Sequence, residues 1–529
     1  MMSTKMNEDI SDVESNFNDE HTPDIPRSTS SEDPKDNDGR CPQRDCLKYA
    51  IAGISVAALI IILSVFLLSN NTEVTNDPRG SIAVEVSDTN PDSSIGSSTA
   101  FGNLVGSTMT SQEMMCERLK VLNNLTNTDD TSENWIELTP QILGDSSYHL
   151  SGWALDMSDD GLIVAVSSVL ASSEDNLERA GHVRVYQRDD VSMAYEPMGS
   201  DIEGEGEKDQ FGYSVTLARN GLRLAAGGRW NDGISGENSG HVRIFDFIDN
   251  DWKQVGQDID GEAAGDQSGR SVSFAGDGMR IAIGSPGSNG DPITNNNQTE
   301  VGHVRVFELD DGTKTWQQIG QNMNGDGDAE NTGSATSLSD DGQYLSVGTF
   351  KDDGYGSVRV FKYESEPKLW KQVGSKIMGA GKGDWTGFSV SMSPNGGRVA
   401  IGSPGDSTHY GAGYSHVYEF RGGEWEIMGD GIVKSSLDGG YSVALTQNGN
   451  RVVVGDYKGM DRGPNSGYCH VYDWKEEANE WVQVGSVIDG DMGDLLGSSV
   501  ATSKDGNRIV VSAPNFQMQR GATRVYQLC

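Results

Sequence analysis

The sequence predicts an all-β fold, a seven-bladed β-propeller of four-stranded blades, and three observations lead to this prediction. One pattern recurs seven times after residue 134: a Gly, the Gly of an Asp-Gly or Asn-Gly pair nine residues later, an apolar run, and a Gly-x-x-Arg/His-Val-aromatic segment. Successive copies lie 53 to 64 residues apart, a spacing typical of repeat architectures. The last copy also lacks its fourth strand, whereas an unassigned strand-like segment precedes the first copy.

Each copy is predicted to form four strands, A to D in chain order. In the copy that begins at Ser268, two alternating apolar stretches flank Asp277 and Gly278. This is a strong hairpin signal, because a two-residue turn of that type needs a positive φ at both central positions. GHVRVFEL (302–309) supplies strand C, and Trp316 begins strand D.

The ends of the repeat region are predicted to close the ring. The chain stops at Cys529, directly after the last strand C, and no strand D follows. We expect residues 135–143 to pair with residues 521–528 as the outermost strand of the last blade. Closure of this kind removes exposed sheet edges.

The composition excludes some classes of partner. The 529 residues include 40 Lys and Arg against 79 Asp and Glu, which gives a net charge of −39. Such a chain is unsuited to binding nucleic acid through phosphates, and its charge favours basic partners, cations or solubility alone. No Cys-x-x-Cys pair occurs, so a zinc or thioredoxin-like site has no support.

Residues 49–68 are twenty uncharged, mostly apolar residues, long enough for a transmembrane helix. A cleaved signal peptide is the alternative, but it would start nearer the N-terminus. Basic residues concentrate before this segment, which predicts a single-pass type II protein of the plasma membrane or an endomembrane, with the propeller outside or luminal.

This topology sets the expected domain organisation. Residues 1–48 are expected to form a disordered acidic cytosolic tail. Residues 69–130 are expected to be a polar stalk, compatible with a short helix at 110–125, and residues 131–529 to be the propeller. An exposed stalk and propeller would offer three N-glycosylation sequons, at Asn70, Asn124 and Asn297.

The cysteines predict one disulfide bond and one core thiol. Cys529 ends the last strand C, close to the expected start of its partner strand, and Cys116 lies 19 residues before Trp135. We therefore predict a Cys116–Cys529 disulfide in an oxidising compartment. Cys469 occupies a strand C position that holds Val in four other copies, which predicts a buried thiol.

Several passages of the repeat resemble the FG-GAP repeats of integrin-α-like propellers. The closest are FGYSVTLARNGLRLAAGG (211–228), TGFSVSMSPNGGRVAIGSPG (386–405) and GEAAGD (261–266). The resemblance covers about 135–529 and implies a membrane-displayed propeller used in adhesion or in protein or glycan recognition. One departure concerns calcium: the A–B interval is read as a two-residue turn, too short to wrap Ca²⁺ with six or more oxygens.

No catalytic motif is present, so the sequence does not predict an enzyme. GxSxG and HExxH motifs are missing. Five of the eight His recur at repeat positions, which is typical of a structural role: His182, His241, His303, His416 and His470. The leading hypothesis is a binding or adhesion module for a protein or glycan. The alternatives are a carbohydrate-active extracellular enzyme and a structural surface protein.

Binding is expected on the face formed by the B–C and D–A loops, which vary between copies, and we call it the loop face. The A–B turns form the opposite turn face. The candidate binding residues are two unrepeated tryptophans and four acidic residues, Trp230, Trp385, Asp260, Glu262, Asp489 and Asp491. The candidate Ca²⁺ ligands are four alternate residues of one D–A loop, Asn324, Asp326, Asp328 and Glu330.

Overall fold

The structure is a computed structural model that describes residues 72–76, 82–86, 115–117, 119, 134–173, 175–189, 192–289, 300–327, 329–405, 413–432 and 439–529. It divides into two compact units, Met1–Met115 and Cys116–Cys529. In the first unit, strands β1 (Thr72–Asn76) and β2 (Ile82–Val86) form an antiparallel pair.

The second unit is a ring of seven antiparallel sheets, each with four main strands, which confirms the predicted propeller. The innermost strands (A) are β4 (Ser151–Met157), β9 (Phe211–Leu217), β14 (Ser271–Phe274), β19 (Ala335–Leu338), β24 (Ser389–Met392), β28 (Ser442–Leu445) and β33 (Val500–Thr502). Strands B are β5 (Ile163–Ser168), β10 (Arg223–Gly228), β15 (Arg280–Ser285), β20 (Tyr344–Thr349), β25 (Arg398–Ser403), β29 (Arg451–Asp456) and β34 (Arg508–Ala513).

The outer half of each blade consists of strands C and D. Strands C are β6 (His182–Arg188), β11 (His241–Ile248), β16 (His303–Asp310), β21 (Ser357–Glu364), β26 (Tyr414–Arg421), β30 (Tyr468–Lys475) and β35 (Ala522–Leu528). Strands D are β7 (Tyr195–Pro197), β12 (Asp251–Gln254), β17 (Thr315–Gln318), β22 (Leu369–Gln372), β27 (Glu424–Ile427), β31 (Glu480–Gln483) and β3 (Trp135–Leu143).

Short segments after strand D return to the same strand C. They are β8 (Ile202–Glu203), β13 (Ile259–Asp260), β18 (Met323–Asn324), β23 (Ile377–Met378) and β32 (Ile488–Asp489). Two B–C loops contain a short helical segment, a 3₁₀ turn at Asp352–Gly354 and α1 at Phe516–Gln519.

The last blade contains both ends of the ring. β3 pairs with β35 in antiparallel register from Trp135 opposite Leu528 to Leu143 opposite Ala522, which confirms the predicted closure. Cys116 and Cys529 form a disulfide bond with their Cα atoms 5.3 Å apart, so residues before β3 are also tied to the end of β35. Cys469 is a free thiol with no exposed surface.

The hydrophobic core lies between adjacent blades, since each sheet buries both faces. In one cluster, Val242 and Ile244 of the second blade pack with Ile281 and Ile283 of the third, and all four side chains are fully buried.

Tryptophans of the D strands connect neighbouring blades through hydrogen bonds. Six indole Nε1 groups donate to a backbone carbonyl of the preceding blade at 2.7 to 3.2 Å: Trp135, Trp252, Trp316, Trp370, Trp425 and Trp481. The first blade has Tyr195 in this position, and its hydroxyl donates to Gly161. Each bond satisfies a buried polar group between blades, so the recurring Trp stabilises the ring.

The A–B turns differ from the predicted two-residue type. In the first blade the loop runs from Ser158 to Ile163, and only Gly161 has a positive φ, at 66°. The Asp160 carboxylate accepts hydrogen bonds from the Ser158 hydroxyl and the Leu162 amide. The Asp of the Asp-Gly pair therefore forms a side-chain turn, and only the Gly needs the left-handed conformation.

Backbone hydrogen bonds link the blades in a circle at the turn face, which we call the amide ring. Its members are Asp159, Arg219, Gly276, Asp340, Pro394, Gln447 and Lys504. Six of the seven links are N–H to carbonyl bonds of 2.8 to 3.2 Å, and the seventh is missing because Pro394 has no amide proton. Backbone therefore contacts backbone across six of the seven blade boundaries at the turn face.

The predicted localisation is corrected. No helix among the described residues is long and apolar enough to cross a membrane, and the single-pass type II assignment is not retained. The segment at 49–68, the tail at 1–48 and the sequons at Asn70, Asn124 and Asn297 lie outside the described residues.

Candidate functional site

Two repeat positions lie where the innermost strands meet the loop face, and they form what we call the mouth. The first position follows the Gly at the start of each strand A and holds Trp153, Tyr213, Arg270, Ser334, Phe388, Tyr441 and Ser498. The second position directly follows strand B and holds Val169, Arg229, Pro286, Phe350, Pro404, Tyr457 and Pro514.

Aromatic side chains of the mouth contact one another from blade to blade. The ring centroids of Trp153 and Tyr213 are 5.4 Å apart, and those of Phe388 and Tyr441 are 4.8 Å apart. Tyr457 continues the second group at 4.1 Å from Tyr441. The first repeat position therefore brings aromatic rings of neighbouring blades into contact at two of the seven blade boundaries, and we call the aromatic side chains of the mouth the collar.

Both predicted tryptophans lie at this mouth, and both are half-buried. Trp385 stacks on Phe388 with ring centroids 6.2 Å apart and meets Phe350 edge-on at 5.8 Å. Trp230 lies against the guanidinium of Arg229, whose central carbon is 4.7 Å from its ring centroid. The two residues therefore contribute to opposite arcs of one collar.

Two arginines face the same aromatic ring of the mouth. The guanidinium carbon of Arg229 is 3.9 Å from the centroid of Tyr213, and that of Arg270 is 4.8 Å from it. Arg229 is only 2% exposed, and its Nε donates to Gln210 at 3.3 Å. Stacking over an aromatic ring stabilises a desolvated cation.

Below the collar, one inner-strand position bridges adjacent blades through side chains. Hydroxyl oxygens of Thr216, Ser273, Ser337 and Ser391 each accept a hydrogen bond from a backbone amide of the next strand A. These amides lie on the free edge of the innermost strands, so the bonds satisfy donors that no strand of the sheet can satisfy.

Asp156 is the one carboxylate at this position. Its Oδ2 accepts a 2.7 Å bond from the Leu217 amide, and its Oδ1 accepts a 2.8 Å bond from the Met157 amide. Burial raises the pKa of Asp156 to about 6, and the two amides act in the opposite direction. A half-buried carboxyl that titrates near neutral pH in the channel can donate or accept a proton.

The acidic D–A loops form an outer rim that is largely paired with arginine. The third residue of strand C forms an ion pair with a carboxylate of the preceding loop in five blades: Arg184 with Asp145, Arg243 with Glu205, Arg305 with Glu262, Arg359 with Asp326, and Arg524 with Asp494. The outer rim therefore has less uncompensated charge than its sequence indicates.

The four predicted acidic binding residues lie on this rim, away from the tryptophans. The carbonyl of Asp260 accepts from Arg305 at 2.7 Å, and Glu262 accepts from Asn322 at 2.8 Å. Asp489 and Asp491 lie 3.4 and 3.9 Å from the guanidinium of Arg462.

The predicted calcium loop is held by cations and amides of the protein. Asp326 contacts Arg359 at 3.2 Å and Lys376 at 2.9 Å. Glu330 accepts from the Asp326 amide at 2.9 Å, the carbonyl of Asn324 accepts from Arg359, and Asp328 lies outside the described residues. Calcium binding by this loop stays a prediction.

Among the residues that the structure describes, two sets of side chains with metal-ligand chemistry occur on the rim. They are Asp145 with His182 and Asp201, and Glu205 with His241 and Asp258, each with ligand atoms within 4.8 Å of one another. Arg184 donates to both carboxylates of the first set, and Arg243 contacts Glu205 of the second at 3.2 Å. A guanidinium therefore already supplies positive charge to each set.

The sequence missed most of the mouth because its residues occupy repeat positions, which were interpreted as structural. The signal that could have found them is departure from a repeat position's usual residue. Asp156 stands where the other blades have Ser, Thr or Ala, and Arg229 stands where they have Pro, Val or an aromatic residue.

Comparison with known proteins gives no family assignment. No family model matches the chain, and no curated protein matches it. Similar solved structures include the periplasmic gluconolactonase of Pseudomonas aeruginosa, at 12% identity and a TM-score of 0.44, which covers 64% of this chain and 85% of that one. Proposed 6-phosphogluconolactonases of Bacteroides uniformis and Bacteroides fragilis, both 11% identical, have TM-scores of 0.43 and 0.44. Their alignments cover 68% and 69% of this chain and 93% and 97% of theirs.

The expectation that the chain is not an enzyme is not retained, since the solved propellers similar to it include proteins named as lactonases. The adhesion function has no support among them. With TM-scores below 0.5 the likeness does not extend to a substrate or mechanism, and the fold rests on the strand pairing described above.

Proposed function

We propose that this propeller is a carbohydrate-active enzyme that binds its substrate at the mouth of the central channel. The observation that carries the proposal is the collar, the group of aromatic side chains at the mouth. That the repeats belong to the FG-GAP family is also a proposal, since no family model matches the chain.

The collar has the composition of a small-ligand site. Such sites are concave, rich in aromatic surface and supplied with a few polar groups that fix orientation. The apolar C–H faces of a sugar ring pack on aromatic rings, and Trp385 with Phe388 presents two nearly parallel rings, inclined by 17°. The guanidinium of Arg270, which lies over the ring of Tyr213, supplies hydrogen-bond donors at the mouth.

Asp156 is the proposed catalytic residue. It lies three residues beyond Trp153 on the same strand, about 10 Å further into the channel at the usual rise of an extended chain. A pKa of about 6 keeps both protonation states populated near neutral pH, as general acid–base catalysis requires. In this proposal the bound sugar extends from the collar down to Asp156, water attacks the carbon of the hydrolysed bond, and Asp156 donates its proton to the oxygen that leaves.

The test is a turnover screen of the full chain on para-nitrophenyl glycosides, oligosaccharides and sugar lactones, followed by Asp156→Thr on any substrate found. Thr is the matched replacement, because Thr216 makes the same inter-blade bond from this position. We expect kcat to fall by about 100-fold or more with the melting temperature nearly unchanged.

A second variant tests the collar. Trp385→Ala should raise KM several-fold, whereas Tyr148→Ala, which removes a 62% exposed ring outside the mouth, should leave KM unchanged. Sugar binding without turnover of any compound would overturn the enzymatic proposal, and the absence of both would overturn the site as well.

A further inference from the structure

The aromatic residues of the mouth form two groups on different blades. The first platform lies in the first and second blades and consists of Trp153, Tyr213 and Trp230. The second platform lies in the fourth to sixth blades and consists of Phe350, Trp385, Phe388, Tyr441 and Tyr457. Ring contacts run through the whole second platform, from the edge-on pair of Phe350 and Trp385 to the 4.1 Å contact of Tyr441 with Tyr457.

Blades without an aromatic residue at the mouth separate the two platforms on both sides. The third blade has Arg270 and Pro286 at the two mouth positions, and the seventh has Ser498 and Pro514. Trp230 in the second blade and Phe388 in the fifth are three blades apart, the largest separation that a ring of seven allows. A ligand that contacts both platforms must therefore cross the opening of the channel.

Each platform retains aromatic surface for a ligand. Trp230, Trp385 and Phe388 are half-buried, so part of each ring is exposed at the mouth. Their protein neighbours hold these rings in place, since the Arg229 guanidinium lies over Trp230 and Phe388 stacks on Trp385. Fixed aromatic surface of this kind is typical of small-ligand sites, and one sugar ring can pack on each platform.

The depth of Asp156 adds a second length requirement. This carboxyl lies about 10 Å below the collar at the usual rise of an extended chain. One sugar ring is shorter than that distance, so a single-ring sugar can contact the collar or Asp156, but not both. A substrate that uses both parts of the site therefore has more than one sugar unit.

We propose that the substrate is an oligosaccharide that contacts both platforms at once, with separate sugar units on Trp230 and on Trp385. This inference rests on the proposed function, because it names the substrate class of the same site. Once one unit is bound, the second contact forms within the complex, so the two contacts reinforce each other. A ligand too short to span the platforms gains nothing from the second one.

The experiment measures calorimetric binding to the full chain with the substitution Asp156→Thr, which is expected to bind sugars with little hydrolysis. The probes are the monosaccharide, disaccharide and hexasaccharide of the cello-, xylo-, manno- and chito-oligosaccharide series. In at least one series the hexasaccharide should bind about 100-fold more tightly than its monosaccharide. This gain exceeds what the larger number of equivalent sugar units can supply by itself.

Variants in the same chain assign the gain to the two platforms. Trp230→Ala and Trp385→Ala should each lower the ratio of hexasaccharide to monosaccharide affinity about tenfold or more, because one platform is left to hold the ligand. Trp230→Phe and Trp385→Phe keep a ring and should retain most of the ratio, which distinguishes a lost contact from a disturbed fold. The matched control is Ile234→Ala, which removes a 93% exposed side chain from the same loop as Trp230 and should leave the ratio unchanged.

The outcomes separate this inference from the proposed function. If monosaccharides bind as tightly as hexasaccharides, the oligosaccharide inference is wrong and the carbohydrate site stands. If no sugar of any length binds, both fall. A length-dependent affinity that survives Trp230→Ala and Trp385→Ala would place the additional sugar units elsewhere and overturn the inference. A length dependence that both variants abolish, with no turnover by the wild type, would support the inference and overturn the enzymatic activity.

Discussion

The backbone amide of Lys504 donates a 2.8 Å hydrogen bond to the carbonyl of Asp159, which joins the last blade directly to the first. The same link recurs around the amide ring, although the side chains in it range from Gly276 to Arg219. The ring therefore depends on backbone geometry, and it tolerates variation in sequence. Its one gap, at Pro394, follows from the missing amide proton.

Replacing Lys504 by proline should weaken this junction. Lys504→Pro removes the donor and leaves a carbonyl without its partner, which should lower the free energy of unfolding by about 1–3 kcal/mol in urea titrations. Lys504→Ala is the control, because it keeps the amide and removes only an exposed ion pair with Asp159, worth about 0–1 kcal/mol. Equal losses in the two variants would show that the backbone link contributes nothing.

The Cys116–Cys529 disulfide should contribute measurably to stability. Cys116→Ser should lower the free energy of unfolding by about 2–5 kcal/mol, because the bond restrains a long loop of the unfolded chain. Cys529→Ser should have the same effect, and the double variant should lose no more than either single one. Additive losses in thermal or urea unfolding would mean that the two residues act independently.

The Trp135 indole should contribute as much to the free energy of unfolding as the tryptophans of the other D strands do. Trp135→Phe keeps most of the buried ring and removes the 3.0 Å bond to the carbonyl of Val484, at a cost of about 1–2 kcal/mol in unfolding free energy. Trp316→Phe is the matched control, since its indole makes the same 3.0 Å bond to Val255. A much larger loss at Trp135 than at Trp316 would contradict the expected equivalence of the two bonds.

Asp156 should make stability depend on pH. Its pKa of about 6 lies above that of an unfolded Asp, so the folded protein binds more protons between about pH 4 and 6. The free energy that this group contributes is fully present below pH 4 and is lost as pH rises through 6, by about 1–3 kcal/mol. In urea titrations, the unfolding free energy of the wild type should therefore fall relative to that of Asp156→Thr as the pH rises from about 4 through 6. A difference independent of pH would contradict the raised pKa.

Much of the fold could be predicted because each blade repeats the same sequence pattern. The spacing of Gly and Trp residues was sufficient to predict the strand order and the closure by Trp135. The Val at the same position in four other copies was sufficient to predict the burial of Cys469. The A–B turn was misjudged, because an Asp side chain that bonds to its own loop makes a positive φ unnecessary there. The amide ring could not be predicted, since backbone bonds between blades leave no residue preference to detect.

The candidate site could be predicted only in part, because its residues differ from blade to blade. Trp230 and Trp385 stood out as unrepeated residues, and both lie at the mouth. Asp156 and Arg270 are hidden at repeat positions, and they become apparent when the seven copies are aligned and each residue is compared with the usual one at its position. The acidic loops looked available for ligands, but the sequence does not show that an arginine from the next blade reaches them.

The pairing of β3 with β35 also constrains the order of events during synthesis. Trp135 leaves the ribosome nearly four hundred residues before Leu528, its partner in the last blade. Until the final strand is made, β3 cannot find its position and the growing ring has two open edges that can pair with other chains. A chain released before the last strand is made would therefore have six complete blades and open sheet edges, and it would tend to aggregate. Only synthesis of β35 lets the ring close and removes those edges.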